Sequence, residues 1–411
     1  MREKRSQRTV VARIVGASPV RLWGLSSDER LRRQLDELGV RTVGPEKLES
    51  SGAETVVLVR GDYLFDSRVL QALVGRPGTA LRALDSAEAP VVAVHVPLPE
   101  VRRVLPYLEG ELRGAPEGLD LESPATLVPS RHIGSLRKAE LPVVVRISEE
   151  KKELLERHLF EGAYKGITDL ITKWVWPRPA RWVTGLCVRW GISPDAVTWT
   201  SLALVLLATG LFLQGSYGPG LLVAWFMTFL DTVDGKLARV TVRSSRFGHF
   251  LDHGIDVLHP PVWYVAWGLG LPATEPRVAG FWLEDLLAVI VVAYVAGRLC
   301  EGAFSTVLAP FEIFSWRPVD SYFRLVMARR NPNLLLLTGA ALMNRPDLGV
   351  LAVAVWTSVS AVFLAARLVW AGFCRWTSGP LVSWLENVDP AAESIPCYAR
   401  PFVRRAELAA S

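Results

Sequence analysis

Asp231-Thr-Val-Asp234-Gly235-Lys-Leu-Ala238-Arg239 is followed after eight residues by Gly248, then after three by Asp252 and after three more by Asp256. Asp231 and Asp234 are three apart, and Asp252 and Asp256 four apart, so each pair shares one face of a helix. Between them Arg243, Ser244 and Ser245 would turn the chain back. Two helix ends would then gather four carboxylates beside apolar segments. Unpaired carboxylates at such a place repel one another and are expensive near lipid. Divalent cations are the usual remedy, and oxygen-only ligands favour Mg2+, Mn2+ or Ca2+ over zinc. Gly235, Ala238 and Gly248 on or beside those faces let helices approach closely or let a flat ligand reach the backbone. The bland alternative is a solvated acidic loop, which four carboxylates at paired helical spacing make a poor account.

Outward from this stretch the chain divides in character. The 411 residues exceed one ordinary domain. Residues 1–150 carry charges at regular intervals, whereas from Ala196 onward long apolar runs appear. The expected fold class is an α/β amino-terminal soluble domain followed by an all-α polytopic membrane domain of six helices. The apolar segments are 197–214, 221–237, 250–271, 283–297, 334–343 and 348–373, the fifth short for a span of about 20 residues. Residues 9–14, 55–60 and 91–97 are β-branched runs that predict buried strands, and 27–38 predicts a helix with Asp28 and Glu29 at its start. Segment 110–142 has no regular pattern. Residues 148–165 predict an amphipathic helix, and the basic, tryptophan-rich stretch 169–190 suits a helix in the headgroup layer or a packed linker. The resulting organisation is 1–147, an α/β domain; 148–195, a juxtamembrane segment; 196–375, the membrane domain; and 376–411, a cytoplasmic tail.

The net charge of +5 does not suggest nucleic acid. The arginines gather beside the apolar runs instead, as the positive-inside rule predicts for a cytoplasmic face. The start, MREKRSQRTVVARIV, lacks the apolar stretch of a signal peptide, so the amino-terminal domain is expected in the cytoplasm and the rest in the inner membrane. The cysteines Cys187, Cys300, Cys374 and Cys397 have no metal-ligand spacing and read as free thiols.

The aspartate stretch resembles the signature of the CDP-alcohol phosphotransferase family, D-x2-D-G-x2-A-R-x8-G-x3-D-x3-D, with every spacing kept. The resemblance covers about Lys165–Phe373 and includes Ser193-Pro194-Asp195-Ala196-Val197-Thr198, a looser match to the family's lead into its first span. It implies a metal-dependent transferase of substituted phosphate groups, using Mg2+ or Mn2+. Asp231, Asp234 and Asp252 would hold metal at the donor pyrophosphate, and Asp256 would deprotonate the acceptor hydroxyl and also touch a metal. Asp231, Asp234, Gly235, Ala238, Arg239, Gly248 and Asp252 would contact CDP. The expected donor is CDP-diacylglycerol, the acceptor an alcohol such as inositol phosphate or glycerol phosphate, and the leaving group CMP. The reading is thus of a phospholipid-making enzyme whose partners are donor, acceptor and membrane lipid, and it leaves a homodimer open.

Arg298, Arg324 and Arg329, with Arg330, could line a pocket for an acceptor phosphate or serve as positive-inside anchors. His249, His253 and His259 crowd the start of the third span without matching fixed motif positions. Val56–Asp62 is similar to the metal-binding strand end of sugar-phosphate nucleotidyltransferases, but Gly16-Ala-Ser-Pro19-Val-Arg21 is a poor substitute for their glycine-rich loop. A degenerate amino-terminal domain is therefore expected. The rival readings are an enzyme with a soluble donor such as CDP-inositol, and a non-catalytic membrane scaffold or transporter. A transporter often shows repeats, and none is evident in the sequence.

Overall fold

A computed structural model describes residues 10–84, 89–130, 132–243, 246–272, 277–392 and 394–404, with the backbone alone for 246–253. The chain begins with β1 (Val10–Val15), α1 (Ser27–Glu37), β2 (Arg41–Thr42), β3 (Thr55–Arg60), β4 (Tyr63–Phe65), α2 (Ser67–Val74), β5 (Thr79–Arg82) and β6 (Val91–Pro97). Next come α3 (Val101–Glu109), β7 (Asp120–Glu122), α4 (Pro124–Leu127), β8 (His132–Ile133), β9 (Lys138–Ala139) and β10 (Val144–Arg146). The main sheet has the order β2-β1-β3-β6-β5-β7, with β1 parallel to β2 and β3, and β6 antiparallel to β3 and β5. Val56 to Val59 are fully buried, because helices cover both faces of the sheet. The expected strands and first helix are present within a residue of their expected bounds. His95 is satisfied in the core, its ring nitrogens 2.9 Å from the Leu73 carbonyl and 3.0 Å from Thr55 Oγ1.

The connector holds α5 (Lys152–Gly162), a π-helical turn at Ile171–Val175 and α6 (Pro177–Arg189). It is both linker and surface. Ala180, Thr184 and Cys187 of α6 are buried, while Trp182 and Trp190 face outward.

Six helices then follow at the expected segments: α7 (Pro194–Leu213), α8 (Tyr217–Val240), α9 (Arg246–Leu269), α10 (Leu283–Ala303), then beyond α11 (Pro318–Val326) come α12 (Arg330–Leu342) and α13 (Pro346–Ser378). Ser193 caps α7 by accepting from the Ala196 N–H at 3.2 Å, and Pro194 fills the first turn, where no N–H is needed. Among the described residues three helices, 194–213, 283–308 and 346–378, are long and apolar enough to cross a membrane. The expected six spans thus reduce to three by that measure. α12, with 13 residues at about 1.5 Å each, falls short of a hydrocarbon core of about 30 Å.

The amino-terminal domain is bolted to α8. Arg30 of α1 donates from Nη2 to the Val240 carbonyl at 2.7 Å, and Arg33 from Nη1 to that of Thr241 at 2.6 Å. Cations at orphan carbonyls and the negative end of a helix are favourable. Beside this clamp Trp23 stacks on Phe160, with ring centroids 5.7 Å apart, in a core shared with Val233 and Leu237 of α8. Residues 384–402 fold back as well: Trp384, Leu385, Ile395 and Phe402 are buried beside Ile167 and Phe304. Arg404 reaches Glu140 at 3.0 Å and the His158 carbonyl at 3.1 Å.

Two outcomes follow from these contacts. Arg30→Ala should lower stability by about 2 kcal/mol, the scale of charge-assisted hydrogen bonds, read from thermal unfolding in detergent. Burial, aided by Arg404, pushes His158 down to about 4 from its ordinary 6.5. The fold therefore holds it neutral while the unfolded chain binds the proton, so this contribution is lost as pH falls from 6.5 toward 4. The melting temperature of wild type should drop more steeply across that window than that of His158→Gln.

Candidate active site

α8, α9 and α12 converge on one cavity of about 590 Å3. Asp231 and Asp234 reach it from α8, Asp256 from α9 and Arg330 from the first residue of α12. Arg330 donates from Nη1 to Asp256 Oδ1 at 2.8 Å and from Nη2 to Asp231. One guanidinium thus joins three helices. Asp234 is nearly buried and accepts from Thr198 Oγ1 of α7 at 2.9 Å. The side chain of Asp256 is 41% exposed against 15% for Asp231, so Asp256 is the carboxylate an incoming molecule can reach.

The backbone of α9 is arranged around Asp256. Pro260 and Pro261 lie inside this helix and cannot donate to the carbonyls four residues earlier, those of Asp256 and Val257. The Val257 carbonyl is satisfied instead by the Tyr294 hydroxyl at 2.8 Å, and Tyr294 accepts from Arg298 at 3.2 Å. A tyrosine and an arginine of α10 thereby replace a lost helical bond next to Asp256.

The cavity collects most of the expected residues. Gly235 and Arg239 line it with the aspartates; Ala238 does not. A methyl group at Gly235 would meet only Arg239 Nη1 at 3.5 Å, so helix packing does not demand a glycine there. Gly248 and Asp252 lie on α9, Asp252 one turn before Asp256, but their side chains fall outside the described residues, as do those of His249 and His253. Arg298, Arg324 and Arg329 all line the same cavity. Arg298 lies 3.5 Å from Glu301, and Arg329 pairs with the same carboxylate.

The structure corrects the expectation that the carboxylates stand at helix ends. α8 runs on to Val240 and α9 begins at Arg246, so Asp231, Asp234 and Asp256 stand more than a turn inside their helices. His259 is a core residue, its Nδ1 2.6 Å from the Ile255 carbonyl and its ring edge-on to Trp263. Among the described residues no group of three His, Cys, Asp or Glu side chains is placed to hold a metal ion.

Sequence reasoning missed a second polar layer. Asp169 is buried, accepts from Thr172 Oγ1 at 2.9 Å and from Asn331 Nδ2 at 2.9 Å, and thus ties the connector to the residue after Arg330. Lys236 is buried with its ammonium 3.7 Å from the Tyr164 ring centroid and 3.1 Å from the Ala163 carbonyl. No spacing signal announces Asp169. Arg330 is among the arginines the sequence offers for a pocket, but its bridge between Asp231 and Asp256 is not legible there.

In the amino-terminal domain, Asp62, in the turn between β3 and β4, is bound by Arg60 at 2.7 Å and Arg146 at 3.5 Å. A carboxylate so engaged is already neutralised.

Removing Arg330 leaves two carboxylates facing each other without a cation. Arg330→Gln should cost about 3–5 kcal/mol of stability, as for breaking a buried ion pair. Adding Asp231→Asn should return part of that loss, measured as a double-mutant cycle in thermal unfolding.

The comparisons bear on this same region. The family model for CDP-alcohol phosphatidyltransferase matches residues 191–359. A phosphatidylinositol phosphate synthase of Mycobacterium marinum is 38% identical over 89 residues, which are 20% of this chain and 38% of that protein. An archaetidylinositol phosphate synthase of Pyrococcus horikoshii is 29% identical over 173 residues, 42% of this chain and 81% of that one. The matches thus span 38% and 29% of the length of the first two curated relatives. A crystal structure of Mycobacterium tuberculosis phosphatidylinositol phosphate synthase with CDP-DAG bound aligns at a TM-score of 0.35 and 21% identity, covering 46% of this chain and 94% of that one. The carboxyl-terminal part of the chain, which carries Asp231, Asp234, Asp256 and the arginine between them, is the part that matches the CDP-alcohol phosphatidyltransferase family model.

Proposed function

We propose that the chain is a membrane CDP-alcohol phosphotransferase that moves the phosphatidyl group of CDP-diacylglycerol onto a polar alcohol bearing its own phosphate, such as inositol phosphate or glycerol phosphate, with release of CMP. The observation that carries this reading is a single cavity lined both by the motif aspartates and by Arg298, Arg324, Arg329 and Arg330. Carboxylates suit a metal-bound pyrophosphate, and guanidinium groups suit a phosphomonoester. The names of the relatives, phosphatidylinositol phosphate synthase and archaetidylinositol phosphate synthase, agree with an inositol phosphate headgroup on a lipid product. In this reading the amino-terminal domain lies on the cytoplasmic side, where soluble acceptors are found.

The chemistry of the donor set, oxygen alone, suits a hard divalent cation such as Mg2+ or Mn2+. Asp231, Asp234 and Asp256 offer only oxygen to one cavity, and Asp252 is one turn away on the same helix as Asp256. Bound there, the cation would neutralise the pyrophosphate and stabilise the departing CMP. Asp231, Asp234 and Asp252 are its holders in this reading, and Arg330 keeps Asp231 and Asp256 at fixed separation. Gly235 leaves the cavity wall open for the cytidine moiety, with Arg239 beside it. Asp256 accepts the proton of the acceptor hydroxyl on its exposed carboxylate. The alcohol oxygen then forms its bond to the phosphatidyl phosphorus as the bond to the CMP oxygen breaks.

Asp256→Asn should lower CMP release by about 10²–10⁴-fold, the range for loss of a general base. Its affinity for CDP-diacylglycerol should stay within a few-fold of wild type. Near-normal turnover with inositol phosphate or glycerol phosphate would refute the assignment of Asp256.

A further inference from the structure

Arg137 and Lys165 also line the cavity, and they stand there with Arg324, one of the guanidinium groups already facing the acceptor. Arg324, on α11, has Nε and Nη1 buried without a hydrogen-bond partner. Its guanidinium carbon stands 5.5 Å from the centroid of the Phe314 ring, and it makes no ion pair among the described residues. Lys165, in the connector after α5, is exposed to the cavity and likewise makes no hydrogen bond or ion pair among the described residues. Arg137 comes from further away in the chain, from the turn between β8 and β9. Its Nη2 lies 2.6 Å from Glu312 and its Nη1 reaches the Ile167 carbonyl at 3.5 Å, while Nε is buried and unpartnered.

The turn is constructed to hold Arg137 in place. Arg137 has φ 48°, a left-handed conformation that is unfavourable for a residue with a side chain. Such strain persists only where the surroundings over-determine it. Here the Gly166 N–H donates to the Leu136 carbonyl at 2.8 Å and the Ile167 N–H to the Arg137 carbonyl at 3.1 Å. A Cβ on Gly166 would come within 2.6 Å of that Arg137 carbonyl oxygen, so only glycine permits the contact. The adjacent Lys138 and Glu140 are buried as an ion pair that Arg404 completes.

Gathering these cations is unfavourable by itself. Arg137 and Arg324 repel each other across the cavity, and Arg137 also acts on Lys165, whose other charged neighbours include Asp256. Buried N–H groups without acceptors add a further penalty. A dianionic phosphate would relieve both costs, and its alcohol would then lie near Asp256.

We propose that Arg137, Lys165 and Arg324 form an anion subsite for the phosphate of the acceptor alcohol, so that a segment outside the family domain completes the acceptor site. This rests on the transferase reading for its ligand, but the subsite can be tested without turnover. Binding of inorganic phosphate to the full-length, detergent-solubilised chain would be measured by calorimetry in wild type, Arg137→Gln and Glu312→Gln. Acceptor KM, donor KM and kcat would be measured in parallel from CMP release.

In Arg137→Gln, phosphate affinity should fall and acceptor KM should rise by about tenfold or more, while donor KM and kcat move by less than about threefold. Glu312→Gln breaks the same ion pair but leaves the guanidinium, and should bind phosphate as well as wild type or better. Equal losses in both variants would reduce Arg137 to a structural ion pair and overturn the proposal. Unchanged phosphate binding and acceptor KM in Arg137→Gln would overturn it while leaving the transferase intact. Phosphate binding that depends on Arg137, in a protein that releases no CMP with any acceptor, would sustain the subsite and sink the transferase reading.

Discussion

Three helices of the carboxyl-terminal part meet at one guanidinium. Arg330 reaches Asp231 on α8 and Asp256 on α9 from the first residue of α12, and the geometry of the cavity depends on that bridge. Burying charges is expensive, so an arrangement of this kind persists only when each charge has a partner of good geometry. The planar fork of arginine can serve two carboxylates at once, which a lysine ammonium does with less directional control. The surrounding polar groups follow from it. Asn331 engages Asp169, Thr198 engages Asp234, and Tyr294 caps the Val257 carbonyl that Pro261 leaves free.

The same constraint explains why the amino-terminal α/β domain is not a loosely tethered passenger. α8 carries two of the aspartates, and its carboxyl end is held by Arg30 and Arg33 from α1. Val242, just past that end, has φ 46°, an uncommon conformation for a β-branched residue. Trp23, Phe160, Val233 and Leu237 share one apolar core, so the domain, the connector and the aspartate helix are packed as a unit. Lys236 and Arg239, from within the motif, both donate to the Ala163 carbonyl of the connector. Both side chains thus line the cavity beside the aspartates and also secure the helix that presents them.

Much of this was legible in the residues. The β-branched runs at 55–60 and 91–97 became central strands because a strand covered on both faces must be apolar throughout. The paired spacing of the aspartates implied two facing helices, and α8 and α9 supply them. From the sequence, Arg298, Arg324 and Arg329 read more readily as membrane-side anchors than as pocket residues, and the fold places all three at the cavity. The tryptophan-rich stretch around α6 is packed on one face, as a linker would be, and carries Trp182 and Trp190 outward on the other. Segment 110–142 had no period to read, because β7, α4 and the β8–β9 hairpin are each too short to establish one.

By itself the sequence determined the division into an α/β part and a helical apolar part, the transferase signature, and the identity of its aspartates. Those properties are local: they rest on periodicity and on spacing within one or two helices. Only the tertiary structure decided what neutralises the aspartates and what else reaches them. Arg330 lies 99 residues from Asp231 and 74 from Asp256 in sequence, and Asn331 lies 162 from Asp169. Contacts over such separations leave no periodic trace in a single chain. They arise because burying a charge requires a partner, and packing alone determines which distant residue is near enough to serve.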